Sequence, residues 1–397
     1  MNEILNPFVP GAGAQPPELS GRDGFLDSAR ILIARTIARR YGKSFIAVGL
    51  RGVGKTVLLN RVRHEAETQG CRVIYVESHE DKPLPLLLAP HLRRVLLELD
   101  RLGAINENVK KALRALRGFI GTIKITTDTG FSLEIDPEPG VADSGDIEAD
   151  LPDLFISLGR AANSRSITIA IIIDEIQYLT MKELSALVMS IHRISQENLP
   201  IVLMGAGLPL LVGKMGESKS YAERLFTFPE IDALNYTEAC RALNEPASQQ
   251  DVTFDEGALK KIFDLTKGYP YFIQEWGYVT WNVAQQSPIN ALDVDKATPR
   301  AIERLDESFF RVRFDRLTRR EKQYLRAMAE LGPGPHRSGD IAEKLNVRVQ
   351  TLGPCRSNLI SKGMIFSPSY GDTAFTVPLF DEYMKRVMPF VSWDGEE

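Results

Sequence analysis

In the stretch Gly49-Leu50-Arg51-Gly52-Val53-Gly54-Lys55-Thr56, glycines, a lysine and a hydroxyl fall at the spacing GxxxxGK[ST], and the chain runs on directly into the periodic segment Val57–Val62. Glycines allow a tight loop whose backbone N–H groups face phosphate oxygens, and the start of a helix adds favourable potential for an anion. Lys55 then reaches the β- and γ-phosphates and the Thr56 hydroxyl can ligate Mg²⁺. A second stretch supplies carboxylates: the apolar run Ile167–Ile173 ends in Asp174-Glu175. A buried strand ending so would set Asp174 in the Mg²⁺ shell and Glu175 where it can polarise an attacking water as general base. The chemistry expected of the two stretches is binding and hydrolysis of ATP with Mg²⁺.

Such residues must be held by a sheet edge. The runs Phe45–Leu50, Val73–Val76, Ile167–Ile173 and Ile201–Met204 are apolar on nearly consecutive positions, as parallel strands covered on both faces are. Longer segments with helical periodicity separate them, among them Gly24–Tyr41, so an α/β domain with a parallel sheet is expected. The Pro- and Gly-rich residues 1–19 read as an irregular extension packed on the domain that follows. Arg117–Ile135 alternates apolar and polar residues around Thr127-Asp128-Thr129-Gly130 and reads as an inserted β-hairpin. Past Phe228 the strand signals stop, and Tyr236–Leu243, Asp255–Thr266 and Pro270–Gln285 read as helices of a smaller unit.

Composition narrows the class. A chain of 397 residues with 44% hydrophobic and 25% charged residues is an ordinary globular mixture, long enough for several cores. The formal charge of -4 excludes a uniformly basic nucleic-acid coat. Cys71, Cys240 and Cys355 lack disulfide or zinc spacing, and the five histidines show no ligand pattern. No apolar run approaches the roughly 20 residues of a spanning helix, so no membrane contact is expected and the cytoplasm is the expected setting.

With these motifs the sequence resembles AAA+ ATPases, in particular the origin-recognition-like branch and the related STAND regulatory ATPases. Glu18-Leu19-Ser20-Gly21-Arg22 is similar to the motif that those proteins place near the adenine, which implicates Arg22. Gly268-Tyr269-Pro270-Tyr271 is similar to the GxP signature of their lids, which implicates Pro270. Together with Gly49, Leu50, Arg51, Gly52, Val53, Gly54, Lys55, Thr56 and Val57 these form the nucleotide-contacting set. Ser220–Phe226 looks like the segment carrying the arginine finger, so that Arg224 would reach a neighbouring subunit's ATP, which implies self-association in the ATP state. Two departures imply slow turnover and a switch: Gly205-Ala206-Gly207 stands where relatives carry a polar residue that orients water, and Tyr271 stands near their nucleotide-sensing arginine.

The expected architecture is thus a nucleotide-binding core over 20–229, a helical lid over 230–313 and a last module over 314–397. In that module Thr318–Leu331, Ser338–Leu345 and Val349–Lys362 read as helices, followed by Met364–Phe366 and Ala374–Val377 as a two-stranded wing and Leu379–Val387 as a closing helix. This order resembles a winged helix-turn-helix. From Thr318 to Gly363 nine basic residues stand against four acidic ones in a chain that is acidic overall. Duplex DNA is the partner that this asymmetry suggests, with Arg348, Gln350, Thr351, Arg356 and Asn358 on or beside the third helix as candidate readers. Gly353-Pro354 should bend that helix or delay its start. The alternative is a STAND-like signalling or scaffold ATPase whose last module binds an as yet unidentified protein.

Overall fold

The apolar runs of the first half pair as one parallel sheet. In a computed structural model, which describes residues 1–11, 16–122, 136–369 and 371–390, β1 (Ser44–Val48), β2 (Arg72–Glu77), β3 (Ile169–Asp174), β4 (Ile201–Gly207) and β5 (Phe226–Thr227) lie in the order β2-β3-β4-β1-β5. All neighbours run parallel. The crossover puts the carboxyl ends of β1, β4 and β3 side by side: Val48 is level with Gly207 and Ile173 with Gly205. In open α/β sheets that edge, at a change of strand order, is where ligands bind.

The described residues divide into two compact units. The first comprises Arg22–Gly49 and Lys55–Ile231 and holds the sheet. Its helices are α1 (Asp23–Ile37), α2 (Lys55–Thr68), α3 (Leu84–Arg101), α4 (Glu107–Thr122), α5 (Ile147–Ser164), α6 (Met181–Gln196), α7 (Leu211–Ser218) and α8 (Ala222–Leu225). Strand side chains alternate between faces. Ile46, Ile74, Ile171 and Leu203 enter a buried core shared with α3, α4, α5 and α6. The opposite face is covered by α1 and α2, where Phe45 meets Phe25 edge-on at 5.1 Å. Burial on both sides is why the strands read as unbroken apolar runs.

One expectation fails here. Arg117–Thr122, the first part of the expected hairpin, is the last turn and a half of α4, with Gly118, Phe119 and Ile120 buried. A short alternation around Gly118 and Gly121 imitated a strand, whereas the longer pattern Val109, Ala112, Leu113, Leu116 and Phe119 follows the helical period that decides the packing. The rest of that segment, 123–135, lies outside the described residues.

The second unit comprises the described parts of Met1–Gly21, then Leu50–Gly54, then the chain from Asp232 on. Four helices form its lid portion: α9 (Tyr236–Ser248), α10 (Glu256–Thr266), α11 (Pro270–Val283) and α12 (Ala291–Arg304). Gly268 enters α11 at φ +73°, and a Cβ there would lie 2.1 Å from the Leu234 carbonyl, so no other residue fits. The N-terminal extension packs on this lid and not, as its position suggested, on the domain that follows it. Phe8 is buried against Phe254 and Trp281 and occupies the space that Gly277 leaves open, where a Cβ would meet its ring at 2.7 Å. Asn6 donates to the Tyr278 carbonyl and the Trp281 indole donates to that of Asn2. An irregular segment without a ladder or helix of its own docks where a large ring can be buried, and α11 offers that place.

From α12 the chain passes through a π-helical turn, Leu305–Phe310, into α13 (Arg311–Phe314). Tyr271 stacks on Phe309 at 4.7 Å and Phe310 stacks on Tyr383 at 5.2 Å, so aromatic packing runs from the lid into the last module. That module contains α14 (Arg319–Glu330), β6 (His336–Arg337), α15 (Ser338–Lys344), α16 (Val349–Ser361), β7 (Ile365–Phe366), β8 (Asp372–Phe375) and α17 (Phe380–Val387). Its antiparallel sheet has the order β6-β8-β7, one strand more than expected. Thr318 and Glu321 form the capping box of α14. Of the two expected effects of Pro354, a delayed start is not seen, since α16 begins at Val349. Pro354 and Gln350, whose carbonyl it leaves without an intrahelical donor, are both exposed, so water can satisfy that group.

Candidate functional site

The carboxyl edge of the sheet gathers the expected polar side chains. Gly49 leaves β1 with its N–H on the Gly207 carbonyl at 3.2 Å, which ties the start of the loop to the end of β4. Lys55 opens α2, is buried, and donates from Nζ to the Gly49 carbonyl at 2.9 Å. The next residue, Thr56, donates from Oγ1 to Oδ2 of Asp174 at 2.7 Å, across from α2 to the last residue of β3. Asp174 is 1% exposed. Burial pushes its carboxyl above the ordinary carboxylate range, opposed by the Thr56 hydrogen bond and reinforced by the charge of Glu175. The Tyr75 phenol stands 3.5 Å from the same oxygen, and burial followed by the Asp174 charge pushes it upward. Lys55, Thr56, Asp174 and Glu175 are thus brought together within one unit.

A hydroxyl and a carboxylate in hydrogen-bond contact beside a buried lysine are the donor set that suits Mg²⁺ bound with phosphates. That ion takes one or two protein oxygens and completes its shell from substrate and water. Among the described residues no group of three His, Cys, Asp or Glu could hold a metal unaided.

Glu175 sits at φ +53°, a left-handed conformation that non-glycine residues adopt at a cost, and its N–H returns to Oδ1 of Asp174 at 2.8 Å. A single 3-10 turn, Ile176–Tyr178, follows, and Thr180 caps α6 through a capping box with Glu183. Within that turn is a residue that the sequence reading passed over. Gln177 is 6% exposed, donates from Nε2 to Glu175, and accepts at Oε1 from the Leu208 N–H at 3.1 Å. Its signal was the pattern Asp-Glu-x-Gln, too common to be singled out without knowing that β4 ends beside it. Lys214 of α7 donates to the Gln177 carbonyl at 3.3 Å, and burial lowers its pKa.

The other expected residues divide between the two units. Leu50, Arg51, Gly52, Val53 and Gly54 group with the second unit, where Tyr269 flanks Gly52 and the Arg51 guanidinium donates to the Gly363 carbonyl at 3.4 Å. Gly52 and Gly54 have φ of +83° and +94°, which the loop's turns require. Val57 follows Thr56 in the first turn of α2, and Arg22 is the N-cap of α1. Pro270 is the first residue of α11, a position that needs no N–H. Arg224 lies exposed in the short α8, its carbonyl accepting from the Tyr41 hydroxyl.

In the last module Arg348, Gln350, Thr351 and Asn358 are exposed on or just before α16. Arg356 differs: its guanidinium holds the hairpin, donating to Oγ1 of Thr373 at 2.9 Å and to Oγ of Ser367 and the Asp372 carbonyl at 3.0 Å each. Lys362 pairs with Glu321 and Arg326 with Glu330. Three of the nine cations counted in the sequence are therefore committed inside the module.

Comparison with known proteins bears on both halves. Residues 18–204 match the family described as AAA ATPase domain, and residues 307–384 match a domain of unknown function. An uncharacterized HTH-type transcriptional regulator of Methanocaldococcus jannaschii is 23% identical over 346 residues, covering 83% of this chain and 79% of its own. Among solved structures, a Walker-type ATPase of Pyrococcus abyssi superposes with a TM-score of 0.55 at 16% identity, covering 96% of this chain and 99% of that one. The Orc1 protein of Aeropyrum pernix, solved in complex with DNA, gives 0.48 at 17% identity over 97% and 96%. No described helix is long and apolar enough to cross a membrane. The match to the family described as AAA ATPase domain spans the segment that carries Lys55, Thr56, Asp174 and Glu175.

Proposed function

We propose that the chain is an ATP-driven switch of the origin-recognition-like or STAND-related kind, which hydrolyses ATP slowly and couples its nucleotide state to assembly and to duplex DNA. The observation that carries the reading is the 2.7 Å contact between Thr56 and the buried Asp174, beside Lys55. In this reading residues 49–57 wrap the triphosphate, Lys55 neutralises its outer phosphates, and Thr56 and Asp174 orient the Mg²⁺ that neutralises developing charge. Glu175 accepts the proton of the attacking water. Arg22 and Pro270 belong to the nucleotide-contacting set by the resemblance alone. Arg224, exposed and bent toward no described acid, serves a neighbouring subunit. Slow turnover is supported by the absence of any polar side chain on β4 at Gly205, Ala206 and Gly207.

The last module, read as a winged helix-turn-helix, would engage DNA through Arg348, Gln350, Thr351 and Asn358. The HTH-type name of the archaeal relative supports this. A second reading, a scaffold ATPase whose module binds protein, is favoured by one observation: Arg326, Arg356 and Lys362 are held internally, which leaves fewer cations for phosphate.

Filter binding tests the nucleotide reading, since Lys55→Ala should abolish retention of ATP, and unchanged retention would refute it. DNA binding should weaken with salt at a log-log slope of roughly -0.9 per phosphate contacted. Absence of salt-sensitive binding to any duplex selects the scaffold. Assembly is read from the particle size with and without a slowly hydrolysed ATP analogue; an unchanged monomer removes the role of Arg224.

A further inference from the structure

Resting on the assignment of Glu175 as general base, we propose that Gln177 is the positioning residue of this site, its carboxamide holding the Glu175 carboxylate at the end of β4. The strand itself cannot supply such a group. A Cβ at Gly205 would lie 2.3 Å from Cδ1 of Ile176 and 2.8 Å from the Ile173 carbonyl. One at Gly207 would lie 2.8 Å from Cδ2 of Leu211 and 2.9 Å from Oε1 of Gln177. The space over the strand end is already filled, and at Gly207 Leu211 and the amide of Gln177 fill it together.

The amide is fixed at both ends. Oε1 accepts from the Leu208 N–H at 3.1 Å, the first residue after β4, and Nε2 donates to Glu175. The main chain is fixed as well: Lys214 donates to the Gln177 carbonyl at 3.3 Å, and the residue is buried. An amide so held has a defined orientation, because the Leu208 N–H can be met only by its oxygen, which turns the NH₂ group toward Glu175. Glu175, on a left-handed backbone, has its carboxylate aimed by a neighbour that is anchored to the next strand. In this arrangement the amide beside the end of β4 orients the base, with its oxygen engaged by the backbone and its nitrogen by Glu175.

The test uses two variants of the full chain in a steady-state ATPase assay with parallel ATP-binding measurements. Gln177→Leu removes both hydrogen bonds. Gln177→Glu keeps an oxygen for the Leu208 N–H, loses the donor to Glu175 and turns a like charge toward it, so it carries the test if Gln177→Leu fails to fold. Both should lower kcat by about 10- to 100-fold, the range expected for a misplaced general base, with KM and ATP affinity unchanged. In a Glu175→Gln background, which itself should lose turnover, Gln177→Leu should cause no further loss, since it acts through that carboxylate. Wild-type kcat in Gln177→Glu overturns the proposal and leaves the base assignment intact, as does a further loss in the double variant. Wild-type turnover in Glu175→Gln removes the base assignment and this proposal with it.

Discussion

Phe8→Ala measures how firmly the N-terminal extension belongs to the lid. The ring is 2% exposed and meets Phe254 and Trp281 edge-on at centroid distances of 6.0 and 6.4 Å. A buried phenylalanine withdraws about 200 Å² from water, worth about 5 kcal/mol at roughly 25 cal/mol per Å². Alanine keeps part of that area, and a compact unfolded chain reduces the figure further, which leaves about 3 kcal/mol. Two aromatic edges add about 0.5–1.5 kcal/mol each, and the sum of about 4–6 kcal/mol overlaps the upper part of the range of about 3–5 kcal/mol typical of such truncations. The assay is guanidinium unfolding followed by tryptophan fluorescence. Trp276 and Trp281 both lie in α11, and the indole N–H of Trp281 bonds to Asn2 of the extension. The variant should shift the midpoint of the lid transition and change the native emission. A loss below about 1 kcal/mol with unchanged emission would refute the docking of the extension on α11.

Three further outcomes follow from the geometry. Asp174→Asn should raise the stability of the nucleotide-free protein by about 0.5–2 kcal/mol at pH 7 while Mg²⁺-dependent turnover is lost. Because the folded-state pKa of Asp174 is raised, the ionised carboxyl is the form that burial penalises. The gain should therefore disappear as pH falls below the ordinary carboxylate range, and equal melting curves at pH 7 would contradict it. Gly268→Ala, with its Cβ 2.1 Å from the Leu234 carbonyl and φ at +73°, should cost more than about 1–3 kcal/mol in thermal unfolding. Arg356→Ala should destabilise the last module by about 2 kcal/mol through its lost hydrogen bonds, whereas the exposed Arg348→Ala should leave the melting curve alone and reduce the salt slope of DNA binding by about one contact.

Much of the core was legible because its signals are local. The strands announced themselves as apolar runs, and Lys55, Thr56 and Asp174 needed only the loop and the end of β3 to be found. Gln177 was not legible, since its role comes from β4, which the crossover brings alongside β3 and which the glycines leave open. Arg117–Thr122 misled because a short alternation was weighed above the helical period that continues through it. Arg356 and Lys362 counted as surface charge in the sequence, yet a linear sum cannot tell a cation facing solvent from one that holds a hairpin or a capping box. The extension was attached to the wrong domain for the same reason: the partner of Phe8 is the gap at Gly277, far away in the chain.

The π-helical turn Leu305–Phe310 decides where the last module can be cut. Phe309 rests on Tyr271 of the lid, Phe310 on Tyr383 of α17, and Asp306 pairs with Arg386 at 2.6 Å. The module is therefore not a cassette that starts at Phe314. A fragment beginning there would leave Phe380 and Tyr383 facing water where Phe310 had covered them. Transplanting the module onto another protein requires the turn to travel with it, and the family match that starts at residue 307 already begins inside that turn.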